Sequence, residues 1–217
     1  MRFLSQAKTM KKAGLAGCLT AAASLPQLAL SAPPGRIGFL LASNLWAAFF
    51  LWSFVFAWHE RESHRKVFTF EIQPRFWLLA SVCGLSGAVV LHFDVDPLMH
   101  HIKLTDFPTD FKTWTASTLF TLAFEQLFAC FAPFAFFIRL SHRRDIAFLL
   151  TVLFGVLILC LKLSSIHWLS PSILVLELLA ARMVVATLSL YFYLRGGVFL
   201  FWWWCFLLQT RHLANWL

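Results

Sequence analysis

Apolar runs alternate with short polar breaks along almost the whole chain, covering residues 13–32, 38–58, 76–91, 114–138, 146–163, 171–194 and 198–217. A helix needs about 20 predominantly apolar residues to cross the hydrocarbon core of a bilayer. Because that core holds no water, a spanning segment must satisfy its backbone hydrogen bonds internally, as a helix does. The pattern therefore predicts an all-α polytopic integral membrane bundle. It has seven transmembrane helices, or six if the first segment is removed. Residues 1–12 carry Arg2, Lys8, Lys11 and Lys12, and the weakly apolar 13–32 ends in Ser31 and Ala32, as in a signal peptide. Pro33 after that bond, and the length of the segment, fit a retained first helix slackened by Pro26 equally well.

The polar breaks divide the chain into three stretches: 1–37, the basic N-terminus with its signal-like or first membrane segment; 38–112, two spans; and 113–217, four spans. Pro171 after Ser170 marks a helix start, and Arg195-Gly196-Gly197 marks a stop. The breaks at 59–75 and 139–144 are basic, whereas 93–113 holds Asp94, Asp96, Asp106 and Asp110. Placing the basic loops in the cytoplasm and the acidic loop outside makes every later crossing alternate, with the C-terminus outside. The expected location is a membrane, the bacterial inner membrane, with lipid as the first partner.

Composition sharpens this picture. The chain is 217 residues, 60% hydrophobic and 13% charged, which excludes a soluble domain. Its net charge of +8 is the positive-inside signal, and no nucleic-acid motif accompanies it. Cys18, Cys83, Cys130, Cys160 and Cys205 are isolated within apolar runs and read as small buried hydrophobes, not as disulfides or metal ligands. Adjacent His100 and His101 near Asp94 and Asp96 lack the spacing of a zinc site, so neither a metal nor another cofactor is expected. No G-x-S-x-G context for a Ser/His/Asp hydrolase is present. Trp202-Trp203-Trp204 reads as a lipid-facing or packing surface.

Candidate chemistry lies in the ionisable groups inside spans. Glu125, followed by Gln126, is the one ionisable side chain of 114–138. An ionised carboxylate at mid-bilayer costs at least a few kcal/mol unless it is paired, protonated or wetted. It reads either as functional or as a protonated hydrogen-bonding contact between helices. Glu125 lies ~20 Å from Arg139, Arg182 ~18 Å from Leu194 and His212 ~21 Å from Val198, so the three share a depth. Glu177 competes for Arg182 but stands on another side of the helix. Gln209, His212 and Asn215 follow at helical spacing, with Arg211 pointing elsewhere and snorkelling outward, and with Trp216 they equally resemble an interfacial helix end.

The order of these features resembles the CPBP family of CAAX-protease and bacteriocin-processing intramembrane glutamic peptidases, over Thr113 to Leu217. Its motifs are EExxxR, FxxxH and HxxxN or HxxxD on three helices. Here Glu125 keeps the leading Glu, Gln126 replaces the second, and Cys130 stands at the Arg. Phe154 keeps the Phe of the second motif, but Ile158 or its neighbour replaces the His, and His167 lies beyond the outer end of that span. His212 opens the third motif, with Asn215 one residue early and Trp216 at the family position. The resemblance implies that Glu125 activates water and that His212 and Asn215 stabilise an oxyanion, roles that a tuned carboxylate and polar donors in a dry site can fill.

Two functions follow as expectations. One is a metal-independent intramembrane endopeptidase acting on a membrane-associated peptide or protein. The other is a non-catalytic relative that binds or chaperones such a peptide through the same site. A proton-coupled transporter using Glu125 and Arg182 is a third reading, although no inverted repeat is visible.

Overall fold

The structure is a computed structural model that describes residues 7–59, 62, 66–102, 107–164 and 173–216. Among the described residues all regular structure is helical, and six helices are long and apolar enough to cross a membrane. The chain is thus an all-α polytopic membrane bundle. It forms two compact units, one from residues 1–67 and 108–147, the other from 68–107 and 148–217.

In the first unit, α1 (Ala7–Ser31) pairs with α2 (Ile37–Phe54). Lipid tails are as apolar as leucine, so helices associate in a membrane through close approach and hydrogen bonds. The buried face of α1 is correspondingly small: Ala13, Ala16, Gly17, Thr20, Ala21 and Ser24. A Cβ on Gly17 would lie 3.1 Å from the Phe49 backbone nitrogen, which shows how near the helices come. Trp52 Nε1 donates to Thr20 Oγ1 at 2.9 Å, and the Lys12 ammonium sits over the Phe56 ring.

The third span of this unit begins with a capping box. Asp110 accepts the Thr113 N–H at 2.7 Å, while Thr113 Oγ1 accepts the Asp110 N–H at 3.1 Å. The Thr113 backbone N–H holds the exposed Asp110 carboxyl below its ordinary range. The span runs through α5 (Phe111–Phe120), two π-turns (Thr121–Glu125 and Leu127–Phe131) and α6 (Ala132–Ser141). In the π-turns the N–H groups of Gln126 and Ala132 bond carbonyls five residues back, on Thr121 and Leu127. The second π-turn ends two residues before Pro133. Proline has no N–H for the i−4 carbonyl and crowds it with its ring, and a wider turn accommodates both.

His142, with φ 51°, ends α6, and its N–H bonds the Ile138 carbonyl at 3.0 Å. Glu62 lies 3.8 Å from Arg139 and 3.4 Å from His142. These contacts put Glu62 and the basic stretch 139–142 at one end of the unit.

In the second unit, α3 (Pro74–Val90) continues through a π-turn (Leu91–Val95) into α4 (Asp96–Ile102). This π-turn also ends two residues before a proline, Pro97. α7 (Arg144–Ser164) follows, and α8 (Ile173–Gln209) is drawn as one helix but has non-helical backbone at Gly196 and Gly197. Trp204 Nε1 donates to Ser189 Oγ at 3.1 Å, and the Phe192 and Trp204 rings lie 5.1 Å apart. Fifteen residues of continuous helix would hold those positions ~22 Å apart. The chain therefore reverses at the glycine pair, and α8 is a hairpin with arms 173–195 and 198–209. The sequence pattern expects one segment on each side of this turn, and the two arms correspond to them.

The second arm packs on α3. A Cβ on Gly84 would lie 2.8 Å from Leu207 Cβ, and Trp203 Nε1 donates to Ser81 Oγ at 2.9 Å. Trp204 is buried and Trp203 partly exposed, so the tryptophan run serves mainly to pack the hairpin and its neighbour. The cysteines divide differently from expectation. Cys130 and Cys205 are buried, but Cys18 and Cys160 are exposed, because they lie on outward helix faces.

Candidate functional site

Glu125 closes the first π-turn, ~20 Å along an ideal helix from either end of its span. Its side chain is exposed, and its Oε2 accepts the Thr121 hydroxyl at 2.9 Å. A π-turn holds one more residue per turn than an α-helix, and such turns recur at functional sites. The carboxyl is exposed, as are Leu119 and Phe128 on the same span. Gln126 beside it is half-buried and Cys130 is buried.

Arg182 lies in the second unit, on the first arm of α8. Its Nε donates to the Gly155 carbonyl at 3.3 Å, next to Phe154. A Cβ on Gly155 would stand 3.6 Å from Arg182 Nη2, so a small residue leaves room for the guanidinium. Glu177 is exposed on the same arm.

His212 also belongs to the second unit, in a 3-10 turn (Thr210–Trp216) that extends the second arm. It is buried, with Nδ1 3.8 Å from Asp96 Oδ2, and its ring meets Phe107 edge-on at 5.6 Å. Arg211 does not point outward to water. Its Nε lies 3.1 Å from Asp96 Oδ1 and 3.2 Å from Oδ2, while Nη1 donates to the Leu208 carbonyl. The 3-10 turn explains this correction, because it shifts side chains away from the α-helical spacing on which an outward Arg211 depends. Gln209 is half-buried, and the side chains of Asn215, His101 and His167 lie outside the described residues.

Asp96 is the group that sequence reasoning missed. It stands in an acidic stretch that reads as a loop, yet its side chain is only 5% exposed and it anchors a cation from the end of another span. His92 Nδ1 lies 4.0 Å from the same oxygen that faces His212. Both separations exceed hydrogen-bond length, and both Nδ1 atoms are buried without a hydrogen-bond partner among the described residues. Two signals pointed to this cluster. An arginine inside an apolar run needs an acid, and His92 stands four residues before Asp96 on one helical face.

The arrangement offers two distinct chemistries. Glu125 presents an exposed carboxyl within an apolar surface, able to accept from a donor or to pair with a cation. The Asp96–Arg211 pair is internally neutralised, with the His92 and His212 imidazoles beside it, which suits tethering better than proton transfer. Among the described residues no group of three or more His, Cys, Asp or Glu could hold a metal ion. His100 stacks instead on Phe107, with ring centroids 3.6 Å apart. No family model, curated protein or solved structure matches the chain.

Proposed function

We propose that this chain is a non-catalytic membrane protein, similar to the CPBP type, that binds a membrane-associated peptide or protein segment along the helix face carrying Glu125. One observation carries the reading: a carboxyl near the middle of a membrane-length helix is exposed, and its hydrogen bond comes from Thr121 on its own helix. A general base for hydrolysis works best in a dry site beside its acid and its oxyanion donors. An exposed carboxyl suits recognition instead.

Intramembrane hydrolysis is the second reading. It is favoured by the leading Glu of the first motif and by a buried His212 beside a carboxylate. In either reading the protein resides in a membrane, proposed as the bacterial inner membrane with the basic loops cytoplasmic. The contacts of Glu62 with Arg139 and His142 support that orientation by keeping two basic stretches at one end.

The test places a photo-crosslinking residue at Phe128, which is 47% exposed, and a control at Leu149, which is 57% exposed on α7. An adduct of defined mass at 128, absent at 149 and weakened by Glu125→Leu, supports binding. A shortened product that disappears with Glu125→Gln moves the conclusion to hydrolysis. Equal adducts at both positions, or none, overturn the binding face.

A further inference from the structure

The central outward faces of α3 and α7 ask nothing of their surroundings but lipid. α3 exposes Leu78, Val82, Leu85 and Val89, and α7 exposes Leu149, Leu153 and Leu157. The face of the 111–141 span is different. Leu119, Phe128 and Phe136 are exposed along that span, and so is the carboxyl of Glu125.

A carboxylate has about four acceptor positions, of which the Thr121 hydroxyl fills one. Lipid tails supply no donors, and an apolar helix supplies none either. A lone ionised group at this depth costs at least a few kcal/mol. A lysine or arginine at the same depth on another helix would carry a similar cost alone, and pairing offsets both. Leu119 and Phe128 are exposed on the same span and offer apolar contact to a docked helix.

From this charge complementarity we infer that the occupant is a transmembrane helix bearing a lysine or arginine near the bilayer midplane, docked along Leu119, Glu125 and Phe128. The inference rests on the binding function proposed above and names the chemistry of the partner.

The experiment uses the full chain in lipid nanodiscs and three synthetic Leu/Ala helices of about 20 residues. They are identical except for a central Lys, Leu or Glu, and binding is read by energy transfer from a dye on each peptide. The Lys peptide should bind ~5- to 30-fold more tightly than the Leu peptide, the range expected for a polar contact between membrane helices. Glu125→Gln should abolish that preference, and Glu125→Lys should transfer it to the Glu peptide. Binding of the Glu peptide by Glu125→Lys requires a folded site, so a loss of charge is distinguished from a loss caused by misfolding.

Equal affinity for all three peptides, or a Lys preference that survives Glu125→Gln, overturns the inference. If Phe128 crosslinks the peptides without charge preference, the binding face stands and only the named chemistry falls. If it crosslinks none of them, the binding face falls as well. An adduct between two copies of this chain would replace the basic helix with self-association.

Discussion

The hairpin at Gly196-Gly197 yields a prediction whose size follows from backbone geometry. Gly197 has φ 64° and ψ −157°, a region that L-residues with a Cβ avoid. Gly197→Ala should therefore cost about 1–3 kcal/mol, a ~5- to 150-fold loss in the folded-to-unfolded ratio. Gly196 is constrained differently. Its φ of −142° is open to any residue, but an added Cβ would lie 2.6 Å from Leu200 Cβ and 3.2 Å from Ile72 Cδ1. Gly196→Ala should cost a further ~1–3 kcal/mol through overpacking. Unfolding of purified protein by SDS in mixed micelles, followed by tryptophan fluorescence, measures both. Gly38→Ala, where an added Cβ meets nothing within 4 Å, is the control and should not lower stability. If Gly197→Ala unfolds at the same SDS fraction as the parent, the turn does not hold the described backbone and the argument for a hairpin fails.

Three further expectations follow. Asp96→Ala strips the carboxylate from a largely buried Arg211 and should destabilise by about 3–5 kcal/mol, whereas Asp96→Leu combined with Arg211→Met should restore most of the loss; the same SDS titration decides. Trp52→Phe and Thr20→Val each remove the bond between α1 and α2, and a double-mutant cycle should give a coupling of about 0.6 kcal/mol, with zero coupling refuting the contact. Asp110 should titrate below the ordinary aspartate value of 3.8 by carbon-13 NMR, and since its folded pKa is depressed, its stabilisation is complete above the unfolded value and fades as pH falls through the folded one. Asp110→Asn should keep a cap and lose that pH dependence, and a midpoint at or above 3.8 would count against the capping box.

Much of the architecture is legible in the sequence because run length and charge are read directly. The apolar stretches became membrane-length helices, six of them among the described residues with the hairpin taken as one, and the Arg195-Gly-Gly stop is a reversal of the chain. Side-chain direction is less legible, since it depends on helical phase. The π-turns in 121–131 and 91–95, and the 3-10 turn at 210–216, each shift that phase. An α-helical wheel therefore gives no reliable face for Glu125, and it misdirects Arg211. The role of Asp96 was hidden for another reason. A run of aspartates beside Pro97 looks like a solvated loop, and only the arginine 115 residues away reveals that one of them is buried. Glu125 stood out from the sequence by chemistry alone, as the one charge in its run. What it faces is a property of packing.

The paired π-turns also bear on how this helix tolerates insertions and deletions. Each is topologically an α-helix with one residue too many, so removing a single residue from 127–131 would let the ladder close at the ordinary spacing. Because the wider turn already absorbs that residue, the helix beyond would keep its facing. Phe134, fully buried beside His59, would stay on its face. Removing a residue from the regular turns of α6, by contrast, would rotate everything beyond by about 100° around the helix axis. The π-turns are thus the places where this span can lose a residue and keep its packing.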